Sequence, residues 1–117
     1  MFYWTREPSK INKKKWNKFC LAAKSIFESS LIPISNVKGE FNATPMISKE
    51  CIAFNGEDGD AADYFCICKE PLYDSKISCD GLVIGFCDTN HKLYEKVVKK
   101  ILEIALYMKI VESWWKK

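Results

Sequence analysis

The segment Asn55-Gly-Glu57-Asp58-Gly-Asp60-Ala-Ala-Asp63 crowds four carboxylates and an asparagine amide into nine residues. That is enough oxygen, in principle, to hold a hard cation such as calcium. An EF-hand loop puts acidic or amide groups at positions 1, 3 and 5, glycine at 6 and glutamate at 12. Counted from Asn55, position 6 is Asp60 and position 12 is Cys66; counted from Asp58, position 5 is Ala62 and position 6 is Asp63. Neither count fits. Asn, Asp and Gly all tolerate left-handed backbone, so the segment is read as the turn of a β-hairpin. A glycosidase-like acid and base would need carboxylates fixed on rigid elements in a cleft, and a hairpin tip is a poor place for them.

The six cysteines stand at 20, 51, 66, 68, 79 and 87. All but Cys79 sit in apolar runs that suit a small buried thiol, and the first residues lack a secretory pattern, so mostly reduced, buried cysteines are expected. Cys66-Ile67-Cys68 is read as a strand segment sending its two sulfurs to opposite sheet faces, which suits neither a bridge nor a shared metal. Zinc wants four convergent ligands, whereas the chain has one histidine and no C-x-x-C. No metal and no cofactor is expected. Cys87 and His91, four apart across a strand-to-helix junction, form the only pair with the spacing of an activated thiolate and its base. Burial of Cys87 is the competing reading, and the chain is taken as non-enzymatic.

These residues need elements to position them. A chain of 117 residues, 48% apolar and 28% charged, fits one globular domain over 1–117 with a real core. It contains no apolar run long enough to span a bilayer, so no membrane is expected and the location is read as cytoplasmic. Trp16, Phe19, Cys20, Ala23, Ile26 and Phe27 keep three-four spacing, which predicts an amphipathic helix within 9–30, capped by Ser9 and stopped before Pro33. Residues 50–55 and 64–69 predict two strands flanking the Asn55-Gly56 turn. A polar connection over 70–80 leads to a third strand over 81–87, whose near-continuous apolar run implies burial on both faces. Phe2, Tyr3 and Trp4 suggest an edge strand with Phe2 and Trp4 on one side and Tyr3 on the other.

Asp88, Thr89 and Asn90 offer caps for a second helix over 91–111, with Tyr94, Val97, Val98, Ile101, Ile104, Ala105 and Met108 facing the core. From Ile104 to Val111 only Lys109 is charged, so apolar side chains surround the helix instead of lining one face. Trp114 and Trp115 then follow, about 100° apart on a helix and too divergent to bury together in one contact. The fold class is therefore α+β, a small antiparallel sheet of three to four strands against an N-terminal and a C-terminal helix. Leu106, Tyr107, Ile110, Trp114 and Trp115 form the candidate protein-binding surface, for a second copy or a host factor.

The net charge of +3 is concentrated in Lys10, Lys13, Lys14, Lys15 and Lys18 and in Lys96, Lys99 and Lys100. Such runs are ordinarily solvated helix faces. The alternative function uses the first group as phosphate contacts, with Trp4 or Trp16 stacking on bases of a nucleic acid.

The order of these features resembles a small uncharacterised family of phage and prophage proteins, which extends to larger DNA viruses. The resemblance rests on Phe54-Asn55-Gly56 with its acidic continuation, and on Phe86-Cys87-x-Thr89-x-x-Lys92-x-Tyr94 leading into an apolar helix. It covers nearly the whole chain through short motifs. Asp88 stands where the family has lysine, Leu93 where it has proline, and Glu95 where it has aspartate. The resemblance implies a helix starting near Leu93 and a virus-encoded accessory protein acting in the infected cell or the virion; it implies no activity.

Overall fold

A computed structural model describes residues 1–72 and 75–117. Residues 73 and 74, within the connection expected over 70–80, lie outside the described residues. In chain order the elements are β1 (Phe2–Arg6), α1 (Lys13–Ser29), β2 (Ile34–Ser35), β3 (Met46–Ile47), β4 (Cys51–Gly56), a single 3-10 turn (Asp58–Asp60), β5 (Phe65–Cys68), β6 (Val83–Cys87), α2 (Glu95–Tyr107) and β7 (Ser113–Lys116). The fold is α+β. Its strands divide between two antiparallel sheets, one of three and one of four strands, where a single sheet was expected.

The first sheet runs β6-β1-β7. Its central strand is β1, expected at an edge, because β7 supplies a second neighbour: Trp4 lies opposite Gly85 on one side and Trp114 on the other. Phe2 and Trp4 point into the core, and Tyr3 points away from it. Gly85 is required here, since a Cβ at that position would fall inside the Trp4 indole. The missing side chain lets Trp4 lie flat enough to reach Phe65, 4.9 Å away between ring centroids. The third strand is thus buried on one face only, with Val83 and Cys87 inward and Phe86 57% exposed.

In the second sheet β4 is the hub, pairing with β5 from Cys51 to Phe54, with β3 at Ile52 and Ala53, and with β2 at its end. Ile52, Phe54, Phe65 and Ile67 alternate onto one face and join the core. Both helices pack on that core: Trp16, Phe19 and Ala23 of α1, and Val97, Val98, Ile101, Leu102 and Ala105 of α2, are buried as their spacing requires.

Helix ends differ from expectation for local reasons. Asn12, not Ser9, caps α1, its side chain accepting from the Lys15 amide at 2.8 Å. Helix α2 cannot begin at His91, because Asn90 and His91 both hold positive φ, 48° and 58°. It ends at Tyr107 in a Schellman turn: the Lys109 amide donates to the Leu106 carbonyl and the Ile110 amide to that of Ala105, with Lys109 left-handed at φ 58°. The chain then reverses into β7. This overturns the expected helical run to Val111 with the tryptophans beyond it.

Candidate functional site

The acidic segment is a turn, and the side chains of Asn55, Asp60 and Asp63 hydrogen-bond to backbone. Asn55 and Gly56 are the last residues of β4, opposite Ser35 and Ile34, and the reversal is made by residues 57–64. The buried Asn55 amide donates to the carbonyls of Val37 (3.1 Å) and Ala62 (2.8 Å), while its oxygen accepts from the amides of Gly56 and Ala62. Gly56 has no room for a Cβ, which would strike the Asp60 backbone and the Tyr94 ring. The Asp60 carboxylate accepts from the amides of Leu93 (2.7 Å) and Tyr94 (3.0 Å), so the loop caps the entrance to α2 from a distant segment. Tyr94 Oη donates to the Asp63 carbonyl, and buried Thr89 donates to Glu95, which also meets Lys116 at 3.2 Å. The two signature motifs therefore meet in one corner and hold each other together.

Cys87 belongs to that corner. Its sulfur is fully buried and donates to the Asp63 carbonyl at 3.5 Å, and burial, reinforced by the Asp63 charge, pushes its pKa up to about 12. It is a neutral core thiol at pH 7. His91, by contrast, is exposed on the turn. Burial, reinforced by Cys87, likewise raises the Tyr94 phenol above its ordinary value.

The C-x-C expectation is corrected by elementary geometry: residues two apart on a strand share a face. Cys66 Sγ and Cys68 Sγ lie 3.7 Å apart, and Cys51, directly opposite Cys68, brings a third sulfur to the group. Nor are the cysteines mostly buried: only Cys87 is, Cys79 is exposed and the other four are half-buried.

The five residues expected to form one surface are separated. Ile110 is buried at 2% exposure, and Trp114 faces inward against Phe2, 6.2 Å between centroids. Leu106 and Tyr107 are exposed on α2, whose first turns cover the inner side of the first sheet, Lys96 and Lys99 lining a hollow with Phe2 and Trp114. Trp115 is on the opposite side of that sheet, because successive strand residues alternate. There it stacks on Tyr3, centroids 5.5 Å apart and planes 15° apart, and Tyr3 is paired in turn with Phe86. Phe86 also lines a cleft of about 520 Å³ between β5 and β6, with Tyr64, Leu72, Cys66 and Cys68 among its walls. A continuous apolar strip runs from Tyr64 in the cleft through Phe86 and Tyr3 to Trp115. Trp115 alone was singled out from the sequence; the Phe2-Tyr3-Trp4 alternation was the available signal for Tyr3.

Lys10, Lys13, Lys14 and Lys18 are exposed, and Lys15 Nζ donates to the Lys109 carbonyl at 3.2 Å, tying α1 to the turn after α2. Trp4 and Trp16 are both core residues, Trp16 donating its indole N–H to the Ser48 carbonyl at 3.1 Å. They have no free ring face for a base. No helix of the described residues is long and apolar enough to cross a membrane. No protein-family model, no curated protein and no solved structure matches the chain.

Proposed function

We propose that the chain is a non-enzymatic protein-binding module whose partner seats on the outer face of the first sheet. The observation that carries this reading is the aromatic strip Tyr64, Phe86, Tyr3 and Trp115, in which Phe86 and Trp115 remain 57% and 42% exposed. Thr5, Ile84 and Ser113 complete the face, so its centre is uncharged. Where the ladder ends, Asp88 and Lys117 bring both signs of charge. That pattern favours a protein and, in its simplest form, a second copy of the chain, since a polyanion would want one sign. The Tyr3 and Trp115 rings each spend one face on the other, so the pair presents a packed apolar surface that suits side-chain packing. The phage and viral likeness supports an accessory role in the cytoplasm of an infected cell or in the virion.

Hydroxyl-radical footprinting of the protein at low and at high concentration tests the reading. Tyr3, Phe86 and Trp115 are expected to lose reactivity together on concentration while Tyr107, 84% exposed, keeps its own. Protection of Tyr107 with no change at Trp115 would move the interface back to α2. Steeply salt-dependent retention on a polyanion, abolished by removing Lys13, Lys14 and Lys18, would favour the nucleic-acid reading instead.

A further inference from the structure

We infer that Cys51, Cys66 and Cys68 form a binding site for a thiophilic d10 cation, with Cu+ as the ion that three sulfurs complete. The three Sγ atoms lie within 4.8 Å of one another, the Cys66 and Cys68 pair at 3.7 Å. A metal bonded to sulfur at about 2.3 Å in the plane of three thiolates needs sulfurs about 4.0 Å apart. Small rotations about Cα–Cβ close the remaining gap. Two neighbouring strands present the group: Cys51 and Cys68 are directly opposite in the β4 and β5 ladder, and Cys66, two residues on, shares their face. The ligands thus sit on rigid elements, which preorganises them.

The surroundings suit a soft ion. Cys66 and Cys68 line the cleft between β5 and β6, so an ion has a way in from solvent. Buried Arg6 lines the same cleft and donates to the backbone carbonyls of Cys68 and Lys69, placing a fixed positive charge beside the thiols. Met46 lies opposite Ala53, itself opposite Cys66, which puts a thioether on the same face of the sheet. Among the described residues no histidine or carboxylate joins the cluster. Soft sulfur ligands select Cu+ and Zn2+ over hard cations, and a cluster of three cysteines with no fourth cysteine, histidine or carboxylate among the described residues favours the three-coordinate ion over tetrahedral zinc.

Binding is a proton exchange: three S–H bonds break, three metal–sulfur bonds form, and three protons leave to solvent with no change of oxidation state. The ligands are thiols until the metal displaces their protons, so binding competes with protons. Affinity is expected to rise by up to about a thousandfold per pH unit, tenfold for each proton released.

The test is anaerobic titration of the reduced protein with Cu+ held by a colorimetric chelator, repeated with Zn2+, with alkylation of each cysteine by iodoacetamide read by mass spectrometry. One equivalent of Cu+ per chain is expected, bound at least 100-fold more tightly than by Cys66→Ser, with Cys51, Cys66 and Cys68 protected from alkylation and Cys79 not. Cys79→Ser is expected to bind like the parent. Alkylation of the parent needs no variant, so it stands even if a substitution unfolds the chain. Equal Cu+ affinity in parent and Cys66→Ser, or protection of Cys79 in place of the other three, would overturn the site. Tighter binding of Zn2+ than of Cu+ under the same chelator competition would overturn the three-coordinate assignment.

Discussion

At the scale of single residues, the groups that looked chemical are mostly engaged in holding backbone. Asn55 answers four backbone groups with one side chain. Asn55→Ala strands donors and acceptors in a buried turn and is expected to cost about 2–4 kcal/mol, measured by denaturant unfolding. Cys87 is the second case. Its buried thiol is expected to react with an alkylating reagent at pH 7 only as fast as the protein opens, long after Cys79. Its folded pKa of about 12 lies above the ordinary 9.0, so the folded state holds the proton that the unfolded chain has released. The sign follows directly: the contribution is intact below pH 9.0, is lost as pH rises toward 12, and Cys87→Ala should flatten that alkaline decline in thermal melts.

Among elements, the helices were legible and the chain reversals were not. Three-four spacing in α1 and α2 is a physical consequence of burying one face: Trp16, Phe19, Ala23, Val97, Val98, Ile101 and Ala105 are buried as expected, Cys20, Ile26, Phe27, Ile104 and Met108 sit half-buried at the margins, and buried Leu102 was missed. The end of α2 was hidden because its left-handed C′ position carries Lys109 where glycine usually signals a stop. An apolar run with no stop signal reads as continuing helix, although Ile110 and Val111 are buried as the chain turns away. Lys109→Gly relieves the left-handed strain and is expected to stabilise the protein by about 1 kcal/mol, visible as a higher melting temperature. The Asn55-Gly56 signal failed differently: it is a local propensity, overridden by side-chain hydrogen bonds that keep Asn55 in the strand. The meeting of Cys66 and Cys68 was readable from strand alternation alone, whereas the approach of Cys51 depended on β4 and β5 register, which no local pattern reveals.

For the molecule as a whole, the reversal at Lys109 decides where the C-terminal aromatic side chains lie. By sending the C-terminal residues back as β7, it packs half-buried Trp114 against Phe2 and lifts Trp115 onto the far side of the sheet, next to Tyr3. One tryptophan becomes part of the core and the other part of a surface. The helix that was expected to carry the interface instead closes the inner side of that sheet. The proposed partner surface is the outer face, continuous with the cleft beside β6. Sedimentation equilibrium across a concentration series, with the parent, Phe86→Ala/Trp115→Ala and Trp114→Ala compared, tests this most directly. The parent should reach dimer mass, the double variant should stay monomeric with an unchanged fold, and Trp114→Ala should lose stability by about 2 kcal/mol, as a half-buried indole gives up its packing against Phe2. A parent that remains monomeric at every concentration, or a dimer indifferent to the loss of Phe86 and Trp115, would contradict self-association through the aromatic face.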